Sequence, residues 1–396
     1  MNLILGILLF SLLILVHELG HFLAAKKAKT RIEEFGLGYP PRIFGIYRQN
    51  KKSSPLGKKS FLGWGSKEWV FIGRKTKKKE IKQTIYSLNW IPFGGFLKML
   101  GESREENGKE VKKDSFEAQS AFKRSVIILS GVFFNIIFAM LLLIIMFASG
   151  APVVSDEETS VPLKNEAIVI AEIRDDSPAN EADIRMGDKI VSIALSDKSK
   201  LIDVFTVEEV QNFTNENKGS EILLIIERGG LVIEKELVPR VDFPEDEGPM
   251  GIALMKTGIA RYPWYEAIRR GVLYTFQLLQ TILYGFFTIF KNLLTKGRMV
   301  GQVAGPVGLF RLTSQAASLG FSYFLHFGAI ISLNLAVLNA LPIPALDGGR
   351  FLFIIIEKVK GSPISAKVER IANSIAFSLL IFLMIFITIR DIMKLF

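Results

Sequence analysis

The sequence predicts a polytopic α-helical membrane protein with about four transmembrane helices, an inserted extracytosolic α+β domain and a cytosolic, membrane-associated β-hairpin region. Three observations carry this. The 396 residues are 49% hydrophobic with a mean hydropathy of +0.32, too apolar for an ordinary soluble protein, yet the 22% of charged residues need water. Four stretches, roughly residues 2–24, 124–149, 320–341 and 371–390, are long and apolar enough to cross about 30 Å of hydrocarbon. Charge is also segregated: residues 25–123 carry 23 Lys and Arg against 10 Asp and Glu, whereas residues 150–319 carry 18 against 24. By the positive-inside rule the first loop is cytosolic and the second lies outside.

The first span, residues 1–25, contains the most informative motif. Residues 17–21 read His-Glu-Leu-Gly-His and close an apolar run from Leu3 to Val16. On a helix the i, i+4 spacing puts His17 and His21 on one face, so both imidazoles can hold one Zn²⁺ with Glu18 beside the attacking water. Only three histidines occur in the chain, and two are in this motif. Lys26, Lys27, Lys29 and Arg31 follow the span and no basic residue precedes it, which agrees with the orientation and argues against a cleaved signal peptide. The net charge of +10 therefore calls for no nucleic acid as partner. With no cysteine, any metal must be held by His and carboxylate, and no disulfide staples an exported domain.

The cytosolic loop, residues 26–123, has a lysine-rich stretch at 48–82 that reads as a solvated surface facing anionic lipid. After it comes Ile91-Pro92-Phe93-Gly94-Gly95-Phe96, apolar and aromatic with a glycine pair, the pattern of a β-hairpin dipping into the membrane. Gly94, Gly95 and Phe96 are candidates for gripping a substrate strand by β-addition. Residues 124–149 form the second span, in which Asn135 reads as a helix-to-helix hydrogen-bonding residue.

Residues 160–242 read as a compact β-rich domain. Strands are expected at Ala167–Ile173 and Lys189–Ile193, a short helix from Ser177-Pro178-Ala179, a second helix at Val207–Asn212, and a hairpin of Ile222–Glu227 with Leu231–Val238 around Gly229-Gly230. This pattern resembles the circularly permuted PDZ domains of bacterial proteases, with Asp183 standing where glycine is usual. Residues 243–319 read as a juxtamembrane region. Its apolar stretch Val272–Phe290, interrupted by Gln277, Gln280 and Gly285, reads as a helix lying at the interface.

The third span, 320–341, ends in Asn339-Ala340-Leu341-Pro342-Ile343-Pro344-Ala345-Leu346-Asp347-Gly348-Gly349. An Asp at a membrane helix end is costly unless paired or bound to metal, and zinc on two histidines needs a third protein ligand plus an open position. Asp347 supplies that ligand. Pro342 and Pro344 break the helix, freeing backbone groups that must line a wet cavity, so with Asn339 they are candidates for binding substrate backbone or an oxyanion. His326 lies roughly 30 Å before Asp347 on a helix and reads as structural. Residues 342–370 form a cytosolic-side loop and 371–390 the fourth span.

Taken in order, HELGH, Phe35-Gly36-Leu37-Gly38-Tyr39-Pro40, Ile91–Glu102, Gly131–Asn135, Gly305-Pro306-Val307-Gly308 and the Asn339–Gly349 stretch resemble the site-2 proteases, specifically the RseP-like branch with a PDZ domain. The chain departs from that pattern in having Val132 where proline is common and one PDZ-like domain where the best-known members carry two. The resemblance implies a zinc metalloendopeptidase of the bacterial inner membrane. Its expected substrates are transmembrane segments of single-span proteins, such as anti-sigma factors already trimmed by a site-1 protease, or remnant signal peptides, and the lipid bilayer is its other partner. Two other classes could carry parts of this pattern: a membrane metal transporter, which needs neither Glu18 nor the outer domain, and an inactive PDZ scaffold, which needs no ligands at all.

Overall fold

A computed structural model describes residues 2–50, 67–73, 81, 83–102, 112–155, 162–197, 201–244, 247–296 and 305–393. Most of the lysine-rich 48–82 stretch lies outside them. The chain divides into a helical unit (Met1–Leu143, Val272–Ala317, His326–Phe396) and a β-rich unit (Ile144–Gly271, Ser318–Leu325).

In the helical unit, α1 (Asn2–Lys27) and α2 (Ala121–Ser149) are apolar almost throughout, matching the first two expected spans. They run antiparallel: Gly20 lies against Ser130, and His17 meets Asn135, which is five residues further along α2. Helix α7 (Phe321–Ala340) runs parallel to α1, with Gly328 between Leu9 and Leu142 and Ser332 donating to the Asn135 carbonyl at 2.8 Å. The region expected as a loop after the third span contains a helix instead, α8 (Asp347–Lys360). Its apolar positions Phe351 and Ile354 fall on one face, which packs with Phe22, Ile127 and Ile128 of α1 and α2. A left-handed Gly361 ends it, and α9 (Ala366–Met393) supplies the last span.

Five helices among the described residues, not four, are long and apolar enough to cross a membrane. The fifth is α5 (Trp264–Lys296), which joins the expected 272–290 stretch to the preceding Trp264, Tyr265, Arg269 and Arg270 in one continuous helix. The sequence hides this continuity because its charges are partnered within the helix itself, Glu266 pairing with Arg269 at 2.7 Å and Arg270 at 2.9 Å. Between α5 and α7 lies α6 (Pro306–Leu319), whose entry is capped from a distance: Asp391 of α9 accepts from the Gly305 and Gly308 amides at 2.8 and 2.9 Å.

The predicted membrane hairpin is part of a larger arrangement. Strands β1 (Ile32–Asn50), β2 (Lys67–Gly73) and β3 (Ile85–Met99) form one antiparallel sheet in the order β2-β1-β3, in which β1 and β3 are each folded back on themselves. Glu34–Leu37 pairs with both Gly95–Lys98 and Ile85–Leu88, and Ile85–Leu88 pairs in turn with Phe44–Tyr47. The fold-back of β1 is held by a buried pair, Arg42 to Glu34 at 2.8 Å, and by Asn89, which donates to the carbonyls of Leu37 and Gly38 at 3.2 and 3.0 Å. Residues 92–94 are therefore the turn between two arms of β3, and both arms pair with β1, so the segment is not a free-standing hairpin.

The β-rich unit is a seven-stranded sheet of β4 (Ala151–Val154), β5 (Leu163–Ile173), β6 (Lys189–Leu195), β7 (Ile202–Asp203), β8 (Ile222–Arg228), β9 (Leu231–Leu237) and β10 (Ile252–Ala260). Its main path is β4-β10-β5-β6-β8-β9, with β7 beside β6. The unit therefore reaches beyond the expected 160–242 on both sides, because β10 inserts between β4 and β5. The short helix α3 (Pro178–Glu181) starts after Ser177, and α4 (Val207–Glu216) carries a capping box from Thr206 and Glu209. Val210 and Phe213 of α4 join Ile168, Ile190, Leu224 and Ile226 in a fully buried core. Gly229 and Gly230, both with positive φ, close the β8–β9 hairpin as expected.

Asp183 occupies a left-handed conformation with φ of 52°, the reason glycine suits that position. Its carboxylate is hydrogen-bonded by Arg185 at 3.0 Å, Lys235 at 3.2 Å and Arg228 at 3.4 Å, which lowers its pKa from 3.8 to about 2. A depressed carboxylate stabilises the fold above its unfolded pKa and loses that contribution as pH falls through the folded value. Asp183→Asn tolerates the left-handed backbone. It is expected to melt below wild type at neutral pH, with the difference vanishing as pH drops from about 4 to 2. A pH-independent difference in melting temperature would show that the carboxylate's charge is not what matters.

Candidate metal centre

Helix α1 ends its long apolar stretch at His17, and the helical repeat stacks His21 one turn on. The two rings stand edge to face with centroids 4.7 Å apart and their Nε2 atoms 3.1 Å apart, both side chains buried. Asp347, the first residue of α8, brings Oδ2 to 3.0 Å from His17 Nε2 and 3.2 Å from His21 Nε2. These three donors are mutually adjacent, and His17, His21 and Asp347 are the group among the described residues able to hold a metal ion. Donors about 2.0–2.1 Å from a tetrahedral metal lie about 3.3 Å from one another, close to these separations. Asp347 Oδ2 is buried and faces only the two Nε2 atoms among the contacts found for it, so the three donors fit a zinc ion placed between them.

Two devices place Asp347 here. The loop between α7 and α8 folds tightly on the α8 N-terminus, and Gly348 and Gly349 make that possible: a Cβ at Gly348 would lie 2.2 Å from the Leu341 carbonyl, and one at Gly349 2.2 Å from that of Ile343. Ala345 is in the left-handed region at φ of 74°, held by its amide donating to Asn373 Oδ1 of α9 at 2.9 Å. A cavity of about 500 Å³, lined by Glu102, Ala345, Arg350, Glu369 and Asn373 among others, opens beside this loop. Its charged and amide side chains offer polar partners of the kind that backbone freed by a broken membrane helix requires. Arg350, one turn after Asp347, pairs with Glu102 at 2.9 Å, and Glu102 also accepts from the Met99 amide at 3.1 Å, so the end of β3 is tied to the helix bearing Asp347.

Behind the two histidines stands α2. A Cβ at Gly131 would come 2.5 Å from His21 Nε2 and 2.7 Å from His17 Cε1, so only glycine leaves room for both rings. His21 Nδ1 meets the Ile127 carbonyl at 2.8 Å, and Asn135 Nδ2 is 3.3 Å from His17 Nδ1. Asn135 is thus more than the helix-to-helix residue the sequence suggested: its backbone carbonyl makes that contact, while its side chain faces a histidine of the cluster. No local sequence signal distinguishes the two roles.

The other expected residues are placed as follows. Glu18 is part-buried within electrostatic reach of His17, His21 and Asp347. Gly94 lies against Ile14, and Gly95 against Leu15, one turn before the histidines, and Ser11 Oγ donates to the Pro92 carbonyl at 2.8 Å and accepts from the Gly94 amide at 3.2 Å. Phe96 follows them in β3. Asn339 is in the last turn of α7 and half-buried, Pro342 is exposed, and Pro344 is half-buried in the loop leading to Asp347. His326 is elsewhere, stacked on Tyr274 with Nε2 3.1 Å from its hydroxyl, outside the cluster as expected.

Long apolar helices enclosing a His-His-Asp cluster, with the Glu of an HExxH motif beside it, define the class of membrane-embedded metallohydrolases. Residues 5–56 and 63–383 match Peptidase family M50, and the chain belongs to that family, the site-2 proteases. It is 29% identical over 391 residues to a protein of Clostridium acetobutylicum provisionally named a zinc metalloprotease, spanning 99% of this chain and 97% of that one. It is also 26% identical over 472 residues to the zinc metalloprotease RasP of Oceanobacillus iheyensis, spanning 98% of each. The protein is a zinc metalloprotease and an integral membrane protein of a family that cleaves membrane-bound substrates within the bilayer.

Proposed function

We propose that this chain hydrolyses peptide bonds within transmembrane segments of single-span proteins, with His17, His21 and Asp347 as zinc ligands and Glu18 as general base. The observation that carries this is the convergence of the two Nε2 atoms and Asp347 Oδ2 at one point on the helix that also backs the β3 turn. Zinc, when bound, supplies an acidified water and polarises the scissile carbonyl. Glu18 takes the proton of the attacking water and delivers it to the leaving amine. Asn339, in the last turn of α7, binds the substrate backbone or the developing oxyanion.

A transmembrane helix must unwind before it can be cut, and its freed amides and carbonyls then need partners that lipid lacks. The Gly95–Lys98 arm of β3 is suited to that task. It is at the edge of its sheet, paired on one side with Glu34–Leu37 and with no strand on the other among the described residues. Gly94, Gly95 and Phe96 would receive the substrate as an added strand beside the histidines.

Helix direction supports a reading of the membrane topology. Because α1 and α7 are parallel and α2 is antiparallel to both, the chain leaves α2 and enters α7 on the same side, an even number of crossings apart. Ser322 at the start of α7 donates to the carbonyl of Gly150 just after α2, in keeping with this. Helix α6 is about 21 Å long, short of a full crossing. We therefore read α5 as interfacial, giving four crossings of a bacterial inner membrane with the β-rich unit outside.

That unit we read as a PDZ-like gate acting on which substrates reach the zinc, such as segments pre-trimmed by a site-1 protease. Its extent changes the deletion that tests this, since removing only residues 160–242 strands β4 and β10. Excising 151–260 is expected to leave cleavage of a pre-trimmed substrate nearly intact while admitting substrates with large outer domains. Inactivity toward a trimmed substrate, in a folded and zinc-loaded deletion, would mean that the unit helps assemble the active site. The function itself is tested by co-expressing candidate single-span proteins with wild type or Glu18→Gln and sequencing new termini. New termini inside an apolar segment, present only with wild type, are expected; their absence across all candidates in zinc-loaded protein would favour a metal-transport role.

A further inference from the structure

Ile127, Gly131 and Asn135 are spaced by four and share one face of α2, directly behind the two histidines. A histidine that binds metal through Nε2 carries its proton on Nδ1 and needs an acceptor there. For His21 that acceptor is the Ile127 carbonyl at 2.8 Å. His17 Nδ1 faces Asn135, whose Nδ2 is 3.3 Å away. Asn135 is 1% exposed, and its Oδ1 is buried without a hydrogen-bond partner. A half-turn of the amide converts this contact into one hydrogen bond that serves both groups, His17 Nδ1–H donating to Asn135 Oδ1, and moves Nδ2 to the place Oδ1 vacates. The contact from α2 to α7 does not need this side chain, because Ser332 donates to the Asn135 backbone carbonyl.

We infer that Asn135 is a positioning residue for His17: its Oδ1 accepts the Nδ1–H of His17 and fixes the tautomer and ring orientation that leave Nε2 to zinc. The inference rests on His17 being a ligand. Loss of such an outer partner weakens metal binding by about 10–100-fold.

The experiment uses the full-length protein in lipid nanodiscs, with zinc affinity from chelator competition and ¹⁵N-histidine NMR, which the presence of only three histidines makes assignable. Asn135→Leu removes the acceptor at similar volume and is expected to bind zinc about 10–100-fold more weakly, with the His17 Nδ1–H signal shifted or lost and that of His21 unchanged. Asn135→Asp keeps an acceptor oxygen and is expected to restore both readouts. Wild-type zinc affinity in Asn135→Leu, or equal loss in Asn135→Asp and Asn135→Leu, would overturn the inference. Should Asn135→Leu not fold, the zinc-loaded wild type decides: a protonated, hydrogen-bonded His17 Nδ1 upholds the assignment, and a bare Nδ1 refutes it. A His17→Ala arm separates the two levels, since zinc retained there would mean that the ligand assignment is at fault.

Discussion

Purified Asp347→Ala is expected to contain no zinc and to cleave nothing. Three protein donors are the minimum for a catalytic zinc site, and this substitution leaves two. The histidines cannot close the gap, because their Nε2 atoms are already 3.1 Å apart on adjacent turns of one helix. The loss should exceed the roughly 10–100-fold that removing an outer hydrogen-bond partner costs, since here a bond to the metal itself is gone. Stability should change little by comparison, because the Gly348–Gly349 packing that shapes the loop does not use the carboxylate. Metal content by atomic absorption, measured beside a melting curve, checks this directly. An Asp347→Ala protein with full zinc and full turnover would show that the third ligand is another residue.

Glu18→Gln should separate the metal from the chemistry. The substitution keeps the helix, the volume and both histidines, so zinc should stay at wild-type stoichiometry. What disappears is a carboxylate able to take and return a proton, a step generally worth about 10²–10⁴ in rate. Turnover of a reconstituted single-span substrate is expected to fall by at least about 10² with little change in substrate affinity. Wild-type turnover in the Gln variant would remove Glu18 from the mechanism, whereas loss of zinc would mark it as part of the metal's own environment.

Much of the candidate site was legible in the sequence because its chemistry is concentrated in two short motifs. HELGH declares its geometry by its spacing, and Asp347 stands out as an acid at a membrane helix end with no local partner. Gly131–Asn135 is legible as a motif of the second span, but what it does there depends on a close approach of helices that spacing alone does not reveal: both residues lie against the histidines. The sheet of β1 and β3 was misread as a hairpin because each strand turns at its own proline and glycine residues, and interleaving leaves no trace in periodicity. Strand β10 was missed because it completes the β-rich unit from beyond its expected boundary. The tertiary ion pair of Arg350 with Glu102 joins residues far apart in sequence, and neither motif announces it.

The division of the proposed zinc site between α1 and α8 also has a temporal meaning. His17 and His21 are synthesised more than 300 residues before Asp347. At about 5–20 residues per second, the ribosome takes roughly 15–65 s to cover that interval. During it, the first span rests in the bilayer carrying Glu18 and two imidazoles without the carboxylate proposed to complete their metal site. Under the proposed ligand set, nascent chains, and products truncated before residue 347, are born without hydrolytic power, and the helices of the membrane meet the protease only after α8 has been made.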